Sequence, residues 1–266
     1  MAEGNIITAL VLGDVCGQPG MRALFMGLGQ LMKDYHSDVV VVNGENAAAG
    51  FGLAEEQKRQ LFSLGVDVIT SGNHIWQQED LVESLKNDPY LLRPLNYPPK
   101  VLGHGSAIVE RKGYKIAVLN LQGRVNMPIT DCPFRCGADA VRNLQNTVSA
   151  ILIDFHAESP EEKKALAFHL DGSVSAVLGT HTHVQTNDEM ILPKGTGFIT
   201  DLGICGPSES VIGSDPALSI QKQMTQMPLR TQIADTAPMI CGVCLKIDGS
   251  NGHTLAIERI MRKFTF

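Results

Sequence analysis

The sequence predicts an α/β fold, because runs that are apolar at every position alternate with amphipathic helical stretches and glycine-rich turns divide them. A fully apolar run needs cover on both faces, which points to a sheet buried on each side. Residues 6–12 form the first run, followed by a glycine-rich turn and a helix over 19–35. In that helix Phe25, Met26, Leu28, Leu31 and Met32 read as a core-packing stripe. Strand 39–42, helix 54–64, strand 66–70 and helix 77–86 continue the alternation. Residues 105–110 and 114–121 are expected to pair as a hairpin about Lys112-Gly113. A helix over 138–150 leads into a strand over 151–155. Ser159-Pro160-Glu161-Glu162 has the pattern of a capping box with proline at the first helical position. A strand over 174–178 follows, and 239–247 with 254–261 make a closing β pair. Two stretches, 90–104 and 195–238, show no period and are expected as loops facing a substrate. No repeat or linker stands out, so one domain over 1–266 is expected.

Composition narrows the function. The 266 residues are 44% apolar and carry a formal net charge of −6, with Lys and Arg scattered. That balance argues against a basic nucleic-acid or membrane surface. An acidic protein that handled a phosphate would need positive charge from another source, and metal ions supply it. The apolar start over 5–12 lacks a basic flank and runs into Gly13-Asp14, so it reads as a buried strand and not as an export signal. With no apolar run of about 18 residues, no membrane span is expected, and the cytoplasm is the expected compartment. The six cysteines are then expected as reduced thiols. Cys132/Cys136 with Cys241/Cys244 make a poor zinc site, since residues three apart on a strand face opposite ways.

The residues at the end of each apolar run carry the chemistry. The runs end in Gly13-Asp14, Asn43-Gly44-Glu45-Asn46, Ser71-Gly72-Asn73-His74, His156-Ala157-Glu158 and Gly179-Thr180-His181-Thr182-His183. Ligands bind at the carboxyl ends of strands in open α/β sheets, so five such ends are expected to converge. His181 and His183 are two apart, and an extended backbone would aim both rings to one side. Imidazole with carboxylate suits iron, manganese or zinc. Two divalent ions bring four positive charges and Asp14 with Glu45 remove two, leaving the balance for hydroxide and a phosphodiester. His36, His104, His169 and His253 follow no such pattern and read as surface or capping residues. The glycines at 13, 17 and 20 do not have the spacing of a dinucleotide-binding loop.

In this order the motifs resemble those of the calcineurin-like metallophosphoesterases. The segments Asn-Gly-Glu-Asn-Ala-Ala at 43–48 and His-Thr-His-Val-Gln-Thr at 181–186 resemble more closely its bacterial YmdB-like subgroup, as does Asn120-Leu121-Gln122-Gly123-Arg124. The resemblance implies a layered αββα sandwich of mixed sheets flanked by helices. It implies a dinuclear iron or manganese centre and hydrolysis of phosphodiesters, including 2′,3′-cyclic nucleotides. By position, Asp14, Glu45, Asn46 and His183 would hold one metal, and Glu45, Asn73, His156 and His181 the other. The broad superfamily opens with Asp-x-His, whereas Asp14-Val15-Cys16 stands here, and Asn46 is the natural replacement for the missing histidine. Cys16 reads as a buried thiol. A bridging hydroxide would attack the phosphorus, with His74 as general acid toward the leaving alkoxide. Arg93 and Arg124 read as structural or solvated residues rather than phosphate contacts. The expected substrate is a small phosphodiester or cyclic nucleotide, with RNA ends as an extension, and a homo-oligomer is admissible. The alternatives are a phosphomonoesterase or protein phosphatase, and a regulatory nucleotide- or RNA-binding protein of weak catalytic power.

Overall fold

The computed structural model of the protein describes residues 5–265. In chain order the elements are β1 (Ile6–Cys16), α1 (Gly17–Tyr35), β2 (Val39–Asn46), α2 (Glu55–Ser63), β3 (Val68–Thr70), α3 (Val82–Asn87), β4 (Ser106–Arg111) and β5 (Tyr114–Gln122). They continue with α4 (Pro133–Leu144), β6 (Ala150–His156), α5 (Pro160–His169), β7 (Ala176–Thr180), β8 (Met190–Ile191), β9 (Gly197–Ile199), β10 (Ile204–Pro207), α6 (Pro216–Thr225), β11 (Pro238–Asp248) and β12 (Thr254–Lys263). One six-stranded sheet has the order β12-β11-β10-β1-β2-β3, and the other β4-β5-β6-β7-β9-β8. Both are mixed: β1, β2 and β3 run parallel, as do β5, β6, β7 and β9, while β4, β8, β11 and β12 are antiparallel to their neighbours.

Side-chain alternation explains the layers. In β1, Ile7, Ala9 and Val11 pack with Val118, Leu152 and Leu178 of the opposite sheet. Leu10 and Leu12, pointing the other way, pack with Leu24, Leu28 and Leu31 of α1 and Leu61 of α2. The second sheet repeats the pattern: Leu119, Leu121, Ile151 and Ile153 pack with Val141 of α4 and Leu166 of α5. The central strands therefore carry unbroken apolar runs because one face meets a sheet and the other a helix. The arrangement is the αββα sandwich expected. Parallel strands of both sheets end on the same side, and the polar motifs sit there. Among the described residues no helix is long and apolar enough to cross a membrane.

Several local expectations are corrected. The first two strands run on through Cys16 and Asn46, so Asp14, Glu45 and Asn46 lie within strands and not after them. The helix expected over 77–86 is a short 3-10 turn, Glu79–Leu81, followed by α3. The helix expected over 138–150 starts earlier, at Pro133, because proline suits the first turn, and it stops at Leu144. In α1, Phe25 is 78% exposed and Met26 44%, so the packing stripe is instead Met21, Leu24, Leu28 and Leu31. Gly27 belongs to that inner face: a Cβ there would lie 2.2 Å from the ring of Phe264. The stretch 195–238 holds two strands, β9 and β10, and one helix, α6. Its apolar runs are too short for periodicity to reveal.

Ser159 caps α5 by accepting from the Glu162 amide, but the reciprocal half of the capping box is absent. The Glu162 carboxylate instead accepts from the amides of Arg124 and Val125, tying the loop after β5 to the helix. Arg93 is buried and donates to the carbonyls of Pro94, Leu95, Val101 and Leu102, a structural role within 90–104 as expected.

Lys163 of α5 is fully buried and donates to Asp201 at 2.7 Å. The same carboxylate oxygen accepts from the Thr182 amide, and the other accepts from Gly203. Replacing Lys163 leaves that carboxylate buried and unpaired. Lys163→Met is expected to lower the unfolding free energy by about 3–5 kcal/mol, measured by urea denaturation.

Candidate metal centre

Asp14 reaches the site through an irregular strand. The β1–β2 register shifts on either side of Asp14, a bulge of the kind found beside functional residues. Gly13 is required there, since a Cβ would fall 1.9 Å from the carbonyl oxygen of Gly203. Glu45 and Asn46 close β2, Asn73 and His74 follow β3, and His156 ends β6. His181 and His183 follow β7.

The geometry brings Asp14, Glu45, Asn46, His74, His156, His181 and His183 together. The Glu45 carboxylate, His156 and His181 each offer one ligand atom within 4.8 Å of the others. His156 Nε2 is 2.9 Å from Glu45 Oε1 and 3.0 Å from His181 Nδ1. His183 Nε2 is 3.8 Å from Asp14 Oδ1, and 3.1 Å from the Asn46 carboxamide nitrogen. The Asn46 oxygen meets His74 Nδ1 at 3.0 Å. Gly72 leaves the space: a Cβ there would lie 2.1 Å from His156 and 2.3 Å from Glu45 Oε2.

Convergence of the two histidines has a different cause from the one expected. Residues 181–183 are not extended: φ is +101° at His181 and +64° at His183. Such angles are costly for residues with a Cβ and persist only where neighbours enforce them. Here the His181 amide donates to Asp14 Oδ2 at 3.1 Å, the Thr182 amide donates to Asp201, and His183 Nδ1 donates to the Ile212 carbonyl at 2.9 Å.

Each ring has a partner that fixes which nitrogen faces the cluster. Thr180 Oγ1 donates to Asp154 Oδ1 at 2.6 Å and accepts from His156 Nδ1 at 2.9 Å. Asp154 also accepts from Asn43 at 2.9 Å and from the Thr70 hydroxyl. Glu158 accepts from His181 Nε2 at 3.2 Å, and the Ile212 carbonyl serves His183. Lone pairs of His156 Nε2, His181 Nδ1 and Glu45 thus point at one another, and between them only a cation is attractive. Asp154 and Ile212 are not among the residues singled out in the sequence, and Thr180 stands there only within the 179–183 motif. Asp154 carried a signal, an acidic residue inside an otherwise apolar strand. The Ile212 carbonyl carried none, being main chain.

Burial sets the electrostatics. It pushes Asp14 up to about 6, against the lowering effect of His183 and His156. It raises Glu45 as well, opposed by His74 and the other imidazoles. It lowers His156 and brings His181 down to about 4, so these rings are neutral at physiological pH. His74 is lowered by burial and raised by Glu45. Burial, then the Asp14 charge, pushes Cys16 up to about 12, in keeping with the buried-thiol expectation.

The donor set fits divalent cations. Asp14 Oδ1 and Asn73 Oδ1 are buried oxygens with no hydrogen-bond partner, an arrangement that costs free energy unless a cation meets them. No cysteine belongs to the cluster. Cys241 and Cys244 lie three apart on β11, and the group of Glu45, His156 and His181 is the one such three-residue cluster among the described residues. Above it lies a cavity of about 320 Å³ lined by Glu45, Asn46, His74, His181 and His183. Removing the Thr180 hydroxyl frees His156 to turn. Thr180→Val is expected to weaken metal binding about 10–100-fold while far-ultraviolet circular dichroism is unchanged, measured by competition with a chelating dye.

Comparison with known proteins agrees with this architecture. A family profile described as YmdB-like protein matches residues 10–260. A 2′,3′-cyclic-nucleotide 2′-phosphodiesterase of Bacillus subtilis strain 168 is 40% identical over 252 residues, covering 95% of this chain and 96% of its own. A hypothetical protein from Thermus thermophilus superposes with a TM-score of 0.91 at 36% identity, over 97% of this chain and 100% of its own. A crystal structure described as a novel phosphatase from Mycoplasma pneumoniae gives 0.91 at 35% identity, over 97% and 94%. With a matching profile across nearly its whole length and a two-sheet fold of metallophosphoesterase type, the chain belongs to the YmdB-like family.

Proposed function

We propose that the protein is a metal-dependent hydrolase of phosphoric diesters, with 2′,3′-cyclic nucleotides as its substrate class. The observation that carries the reading is the convergence of Glu45, His156 and His181 lone pairs beside the unpartnered oxygen of Asp14. Two divalent cations, iron or manganese by donor type, are proposed: one held by Asp14, Glu45, Asn46 and His183, the other by Glu45, Asn73, His156 and His181. When bound they supply positive charge for the phosphoryl oxygens and acidify the attacking water. The name of the Bacillus relative supports the substrate class.

The chain's own groups do the rest. Asn46 and Asn73 are neutral donors, so the site keeps the net positive charge that an anionic diester needs. Water adds to phosphorus, the bond from phosphorus to the ribose 2′ oxygen breaks, and a 3′-monophosphate is left. His74 lines the cavity with its Nδ1–H donating to the Asn46 oxygen; in its protonated form, which the Glu45 charge favours against burial, the ring also carries a proton on Nε2 to hand to the departing oxygen. Such proton transfer contributes about 10²–10⁴-fold. A monoester phosphatase is the second reading, favoured by the description of the Mycoplasma relative.

Protein purified anaerobically and analysed for metal is expected to contain iron or manganese and to open 2′,3′-cyclic nucleotides faster than it cleaves phosphomonoesters. The reverse order would favour the phosphatase. His74→Ala is expected to lower kcat on the diester by about 10²–10⁴-fold with metal content kept. Loss of metal with activity would make His74 a ligand and overturn its role as acid. Dialysis against a chelator is expected to abolish turnover, and the restored metal to return it.

A further inference from the structure

Beside the cavity over the cluster lies a larger one of about 670 Å³. The two share a wall of Ala49, Phe51, Thr231, Gln232 and Ile233, so a ligand in one extends naturally into the other. Arg22 of α1 with its ion-pair partner Asp235, and Arg230, which is exposed, line the outer cavity and not the inner one. Phe51 borders both, is 53% exposed, and sets its ring edge-on to His74 with centroids 5.2 Å apart.

We propose that the outer cavity is a second nucleotide subsite, so that the preferred substrate is a short oligoribonucleotide ending in a 2′,3′-cyclic phosphate. The inference rests on the hydrolase reading above and names the substrate of that same site. A cyclic mononucleotide brings one phosphate, which the cluster would take. The inner cavity of about 320 Å³ already lies at the low end of the range of about 300–1,000 Å³ typical of small-ligand sites. The outer space is therefore surplus to a mononucleotide, as is the Arg230 guanidinium. A preceding nucleotide would use both: its phosphate meets Arg230, whose planar fork matches phosphate oxygens, and a base finds an exposed aromatic face in Phe51.

Arg22 is paired with Asp235, which lines the same cavity, so those two charges offset and the positive charge left for a phosphate is that of Arg230. The net charge of −6 is no obstacle, because an end-binding site needs a local cation and no basic surface.

The test compares 2′,3′-cyclic AMP with a diadenylate ending in a 2′,3′-cyclic phosphate, on metal-loaded full-length protein and on Arg230→Glu. Wild type is expected to favour the diadenylate in kcat/KM by about tenfold or more, the gain typical of one charge-assisted contact. Arg230→Glu is expected to erase that preference while the value for cyclic AMP stays within about twofold of wild type, since the residue is outside the inner cavity. Equal values for the two substrates in wild type would overturn the subsite and leave the hydrolase standing. A substitution that lowers both substrates alike would also overturn it. No turnover of either substrate would end the hydrolase reading and the subsite with it.

Discussion

Two carboxylates and three imidazoles share one largely buried volume at the meeting of two sheets, and the rest of the structure is arranged around that constraint. Asp14, Glu45 and His156 have no exposed surface. Burial makes the charged forms of all three unfavourable, and nearby amides answer only part of the need. The site is stable as a set of ionised carboxylates and neutral imidazoles when positive charge sits among them. That is why a reading based on divalent cations accounts for the orphaned oxygens of Asp14 and Asn73 better than a purely structural polar core.

Holding such a cluster in place is the work of residues that never touch its centre. The Asp154 carboxylate gathers Asn43, Thr70 and Thr180, drawing together β2, β3, β6 and β7 across the gap between the two sheets. Asp201 does the same for the histidine loop, fixed by Lys163 from the helix behind it. These buried carboxylates differ from Asp14 and Glu45 in one respect. Asp154 has three side-chain donors and Asp201 has Lys163 with two amides, whereas an oxygen of Asp14 is left over. The contrast separates carboxylates that build the site from those available to a ligand.

Above the cluster the walls are of another kind. The inner cavity is rimmed by residues from 45–51 and from 212–233, the second of which belongs to the stretch without sequence period. Loops of this sort carry specificity while the sheets carry chemistry, and the same sandwich accommodates different phosphate esters by changing them. The guanidinium groups of Arg22 and Arg230 stand at the outer margin of that region.

The order of motifs made the α/β class, the family resemblance and the cluster of Glu45, His156 and His181 legible in the sequence alone. Fully apolar strands and the ligand-type residues at their ends are local features, and local features survive in a linear string. Long-range placement is another matter. The turning of His181 and His183 toward the cluster depends on left-handed backbone at both, enforced by Asp14, Asp201 and Ile212, which lie distant in the chain. Short strands within 195–238 and the outward direction of Phe25 and Met26 likewise depended on what packs nearby. Pairwise contacts between remote residues are set by the folded chain, and only the tertiary structure decided them.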